Sequence, residues 1–109
     1  MGFKIGVISN SEGQVHRVVE FAGLTPVLDC LIDSHVVGVS KPDPKIFEIA
    51  LNQVGVKGDK SWYVGDLYDV DVVGARRAGL TPVLYDVYNI HPEADCLRIT
   101  RLKDILSLI

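Results

Sequence analysis

Residues 61–85 read SWYVGDLYDVDVVGARRAGLTPVLY, and this stretch decides the fold. Ser61 to Val64 is an apolar run of strand length that stops at Gly65-Asp66. Asp71 to Ala78 then has helical composition and closes at Gly79, a residue suited to a helix C-terminal cap. Thr81 to Tyr85 is a second apolar run. A strand, an acidic turn, a helix, a glycine and another strand in that order predict two parallel strands joined by a helical crossover. Both strands are apolar on both faces, as strands buried between helical layers must be.

The same alternation extends upstream. Phe3 to Ile8 is almost wholly apolar and runs into the polar turn Ser9-Asn10-Ser11. Val15, Val18, Val19 and Ala22 share one face of a following helix that Gly23 can close. Leu31-Ile32 with its flanks forms a further strand ending at Asp33-Ser34, and a loop leads to Lys41-Pro42-Asp43-Pro44. Asp43 can cap the next helix, and Pro44 fits its first turn, where a missing N–H is no loss. Phe47, Ala50, Leu51 and Val54 form the inward stripe of that helix, which Gly55 closes. Downstream, Tyr88 to Asp95 is polar loop and Leu97 to Ile99 a short fifth strand. Leu102, Ile105, Leu106 and Ile109 trace a closing amphipathic helix. The predicted class is α/β: a Rossmann-like three-layer sandwich with a mostly parallel sheet. Trp62 is expected in its core.

Composition narrows the function. The 109 residues, 48% hydrophobic, can bury one core, so a single domain over 1–109 is expected. A formal charge of −3 gives no electrostatic support for binding nucleic acid or an anionic membrane. No apolar run approaches the roughly 20 residues of a membrane span. Cys30 and Cys96 are far apart and in no metal-ligand spacing, so they read as inert thiols in a reducing cytosol. A soluble cytoplasmic protein is the expectation.

In a parallel sheet, ligands gather beyond the carboxyl ends of the strands. Three such places carry apt chemistry. Ser9-Asn10 offers a hydroxyl and backbone N–H groups to phosphate oxygens. Lys41 is a cation held just before a helix. Asp66, followed by Asp69 and Asp71, concentrates carboxylates where Mg²⁺ would find hard oxygen ligands. Each has a plainer reading alone: Ser9, Asp66 or Asp71 as a helix cap, Lys41 as a solvated lysine, Asp69 as solvent-facing. His16, His35 and His91 form no partner pattern and read as surface or packing residues. Together, a hydroxyl, a lysine and a carboxylate cluster form the surroundings that phosphoryl transfer needs.

Joint order decides between these readings. An apolar strand ending in Ser9-Asn10, then Lys41-Pro42-Asp43-Pro44-Lys45-Ile46-Phe47, then Val64-Gly65-Asp66 with Asp71, Gly74-Ala75 and Ala78-Gly79 resembles the second, third and fourth motifs of the haloacid dehalogenase-like (HAD) superfamily. The match spans Ile5 to Gly79. The resemblance implies that Ser9 hydrogen-bonds the transferring phosphoryl group and that Asn10 belongs to the same phosphate-holding turn. It implies that Lys41 neutralises the nucleophile and the phospho-aspartate, and that Asp66 and Asp71 support Mg²⁺, Asp66 directly. The substrate would be a small phosphorylated metabolite.

The departures are as informative. The family's first motif, an Asp-x-Asp at the end of a central strand, supplies the nucleophile, and no such strand precedes Phe3. Asp69-Val70-Asp71 lies inside the fourth motif and cannot also be the first. Asp86 follows an apolar strand, but Tyr88 stands where the second aspartate would be, so Asp86 reads as loop. The cap domain is missing as well. The expectation is therefore the C-terminal part of a HAD core, inactive alone, with Mg²⁺ weakly bound or absent. An N-terminal fragment or a second copy of the chain would fill the central strand; otherwise the strands ending at Ser9 and Asp66 would pair directly. The alternative is a truncated, non-catalytic binding or interaction module. A phospho-acceptor receiver domain ranks last, because receivers group their acidic residues near the first strand and place the lysine after the fifth.

Overall fold

The computed structural model describes residues 2–109, which divide into two compact units, one reaching to Lys57 and the other running from Gly58 to Ile109.

In the first unit, strand β1 (Gly6–Ser9) leads to helix α1 (Val15–Phe21), strand β2 (Cys30–Asp33), a single helical turn α2 (Ser34–Val37) and helix α3 (Pro44–Val54). β1 and β2 are parallel, with Ser9 opposite Asp33 at their carboxyl ends. α3 packs on both strands and α1 on β2. Ile32, Ile46 and Phe47 are fully buried, with Val19, Cys30 and Ala50 beside them. α3 forms where the sequence places it: Asp43 Oδ1 accepts the Lys45 N–H at 2.9 Å, Pro44 sits in the first turn, and Gly55 closes the helix in a left-handed conformation. α1 ends in the same way, with Gly23 N–H donating to Glu20 and Leu24 N–H to Val19.

The second unit holds β3 (Trp62–Gly65), a turn of π-helix over Tyr68–Val72 that continues into α4 (Val73–Arg77), then β4 (Thr81–Tyr85) and β5 (Leu97–Ile99). The three strands are parallel in the order β3-β4-β5. Val72 and Ala75 from the helical segment, Leu80 before β4, Val83 and Leu84 of β4, and Ile99 form the core of this unit.

Four expectations are corrected. The loop after Asp33 contains the short helix α2, because the Asp33 side chain caps it by accepting the His35 N–H. The fourth-motif helix begins at Tyr68 instead of Asp71 and opens as π-helix. Val18 and Trp62 lie outside the core, 63% and 40% exposed; Val19 alone carries the buried face of α1. The last segment is a 3₁₀ helix over Leu102–Ser107 with Leu102, Leu106 and Ile109 exposed, so its apolar periodicity is not matched by burial. Among the described residues the strands form one sheet of two and one of three strands.

Candidate functional site

In the first unit the sequence-predicted residues gather around the carboxyl end of β1. Ser9 is its last residue and is partly buried. Asn10, next in the chain, reaches across to residue 41: its Oδ1 accepts the Lys41 N–H at 2.8 Å and its Nδ2 donates to the Lys41 carbonyl at 3.0 Å. Lys41 itself is partly buried, two residues ahead of the Asp43 cap of α3. Ser9-Asn10 and Lys41, far apart in sequence, are thus tied into one locality.

The turn after Ser9 is fastened from the neighbouring strand. Asp33, fully buried at the end of β2, accepts N–H groups from Gly13 and Val15, both at 3.3 Å, and from His35 at 2.9 Å. Ser34 Oγ accepts the Ser11 N–H at 3.0 Å and donates to the Ser11 carbonyl at 3.1 Å. Burial pushes the Asp33 carboxyl up, but the N–H groups of His35, Val15 and Gly13 outweigh it and hold the group below the ordinary carboxylate range. An ionised Asp33 therefore fixes the entry of α1 and the start of α2, while Ser34 holds Ser11. A shallow pocket of about 390 Å³ opens beside it, lined by Ser11, Ser34, His35, Gly38, Val39 and Ser40.

In the second unit, β3 ends at Gly65 and delivers Asp66 to the surface immediately after it. Asp71 is only 3% exposed; its Oδ2 accepts the Leu67 N–H at 3.0 Å. A Cβ on Gly65 would overlap the Asp71 carboxylate, so the glycine of Gly65-Asp66 is there to let that carboxylate lie against the end of the strand. Asp69 faces solvent, as expected. The π-helical turn carrying these residues is braced by Tyr68, whose hydroxyl donates to Asp95 Oδ1 at 2.5 Å, and by Arg76, which donates to the Asp95 carbonyl at 3.1 Å. The Tyr68 bond first, then Arg76, holds the Asp95 carboxyl low, and the same bond raises the Tyr68 phenol.

Asp86 lies in the loop after β4, as the sequence reading has it, and there it ties the chain together. It is buried at the end of β4, accepts the N–H groups of Ile90 at 3.0 Å and His91 at 2.8 Å, and pairs with Arg98 Nε at 2.9 Å. Burial raises its carboxyl, but the His91 N–H, Arg98 and the Ile90 N–H together hold it below the ordinary range. The sequence signal for Asp33 and Asp86 is the one that singled out Asp66, an aspartate directly after an apolar strand; the difference is that these two are consumed by backbone N–H groups. Among the described residues, no three His, Cys, Asp or Glu side chains come close enough to hold a metal ion by themselves.

The sequence profile of the haloacid dehalogenase-like hydrolases matches residues 1–79, the stretch holding every residue proposed above for phosphate or metal. The chain belongs to that family. This HAD-like hydrolase is 32% identical to the glyceraldehyde 3-phosphate phosphatase of Methanothermobacter thermautotrophicus, over 98% of its own length and 50% of the relative's. It is 42% identical to the pyrimidine 5'-nucleotidase YjjG of Escherichia coli, over 71% of the chain and 35% of that protein. The crystal structure of a HAD phosphatase from Thermococcus onnurineus superposes with a TM-score of 0.90 at 27% identity, covering 98% of this chain and 50% of the other. The expected Rossmann-like α/β core is therefore the fold. The chain spans half or less of the length of these curated relatives.

Proposed function

We propose that this HAD-like chain carries the phosphate-holding, charge-neutralising and metal-supporting side of a Mg²⁺-dependent phosphohydrolase acting on a small phosphorylated metabolite, and that it does not turn over alone. The observation that carries the reading is the gathering of Ser9 and Lys41 at the end of β1 through Asn10, within a sequence that matches the family's profile. Ser9 Oγ and the N–H groups of the Ser9–Asn10 turn hold phosphoryl oxygens. Lys41 neutralises charge on the nucleophile and on the phosphorylated intermediate.

Asp66 and Asp71 would hold the Mg²⁺. Their donor set fits: two carboxylates within one turn, one exposed and one buried at the end of the same strand, offer the hard oxygens that Mg²⁺ prefers. When bound, the ion supplies positive charge against the phosphoryl oxygens. We place the chain in the cytoplasm, where the free thiols of Cys30 and Cys96 would stay reduced.

No residue among these 109 stands where the family's Asp-x-Asp nucleophile belongs. In a covalent mechanism, removing the nucleophile costs many orders of magnitude, and electrostatic stabilisation does not replace it. Turnover of a generic aryl phosphate with Mg²⁺ by the purified chain tests this directly, with Asp66→Asn as the control for contaminating phosphatases. The expected result is no turnover above that control. Robust activity that Asp66→Asn abolishes would overturn the reading of the nucleophile.

A further inference from the structure

Asn10 has the one side chain in the Ser9–Ser11 turn that spends both its donor and its acceptor on a single distant residue. Its Oδ1 takes the Lys41 N–H at 2.8 Å, and its Nδ2 gives to the Lys41 carbonyl at 3.0 Å, across 31 positions of sequence. The amide behaves as a peptide group would, closing on both backbone groups of one residue. Such a two-point contact fixes the Cα of residue 41 on both of its flanks. An aspartate has no donor for the carbonyl, and a serine is too short to reach both groups.

The other end of the segment is equally fixed. Asp43 caps α3, whose Ile46 and Phe47 are fully buried, so Lys41 hangs between an anchored helix and the Asn10 amide. We propose that Asn10 is a positioning residue for Lys41: its side chain sets where the ammonium group sits relative to the phosphate-holding turn, while its backbone N–H remains part of that turn. The inference rests on the phosphoryl-transfer reading above and adds to it a coupling between the second and third motifs. A long, flexible lysine stem contributes little to anion binding unless its root is fixed, because ordering the stem costs rotamer entropy.

The test is a double-mutant cycle on the full chain, read as inorganic phosphate affinity from chemical-shift titration at constant ionic strength. Asn10→Ala is expected to weaken phosphate binding by about fivefold to tenfold, as loss of such a contact implies. In the Lys41→Met background the same change should have no further effect, to within about twofold. A role in direct phosphate contact predicts additive losses instead, and additivity would overturn the proposal.

Amide hydrogen exchange supplies the second readout. The Lys41 amide should be protected in the wild-type chain and should exchange at least about tenfold faster in Asn10→Ala, while the amides of α3 keep their rates. An unprotected Lys41 amide in the wild type would overturn the clamp without recourse to any variant. No detectable phosphate binding by the wild type, with Lys41 protected, would instead overturn the phosphoryl-transfer reading and the inference that rests on it.

Discussion

At the scale of single residues, space and charge around four positions do most of the organising. Gly65 is required because Asp71 occupies the volume a side chain would fill. Gly65→Ala is accordingly expected to lower stability by roughly 1–3 kcal/mol, the range for inserting a methyl into a filled site, and to weaken any Mg²⁺ binding through displacement of Asp71. Urea denaturation with a parallel metal titration checks both parts. Asp33 and Asp86 predict the pH response. Each has a folded carboxyl held below its ordinary value, so each contributes stability that is fully present above the unfolded value of about 3.9 and is lost as pH falls through the folded value. The urea midpoint should therefore fall as pH is lowered below about 4. In Asp86→Asn, which cannot ionise opposite Arg98, that fall should be shallower; an unchanged slope would remove Asp86 from the account. Sequence alone named Ser9, Asn10, Lys41, Asp66 and Asp71 because they follow strands or precede a helix. The structural work of Asp33 and Asp86 was not legible, since whether an aspartate is consumed by N–H groups depends on how the next loop folds.

At the scale of elements, local chemistry and tertiary packing were legible to different degrees. α3 was readable in full because its signals are local: Asp43 as cap, Pro44 in the first turn, Gly55 at the end. Asp43→Ala should cost about 1 kcal/mol, the usual value of an N-cap, measured as a shift in the urea midpoint with no change in its slope. The five strands were also legible as apolar runs ending in turn residues. The failures share one cause. The periodicity of Leu102, Ile105, Leu106 and Ile109 and of Val15, Val18, Val19 and Ala22 records side-chain chemistry, while burial depends on which neighbour lies against each face; Leu106 is 73% exposed. The π-helical start at Tyr68 was hidden because its bracing comes from Asp95, 27 residues on, which no local pattern reports.

At the scale of the whole molecule, the α/β class, the parallel strands and the family were all contained in motif order, because three short motifs in fixed succession are far more specific than any one of them. The division between Lys57 and Gly58 was not, since no linker-like stretch of sequence marks it. With only Asp66 and Asp71 as protein ligands, Mg²⁺ affinity should lie at roughly 10⁻³ M or weaker, near the weak end of oxygen-ligand sites. Calorimetry giving micromolar affinity would contradict this. We propose that this HAD-like chain carries part of the machinery of phosphoryl transfer and takes its nucleophile from an additional strand. The most direct measurement is aryl phosphate turnover, with Mg²⁺, by the chain mixed with a separately expressed N-terminal segment bearing Asp-x-Asp. The account predicts a rise of at least about a hundredfold over either piece alone, lost again on Lys41→Ala. A mixture whose pieces associate yet show no turnover would contradict it, and would favour a binding module in place of an enzyme.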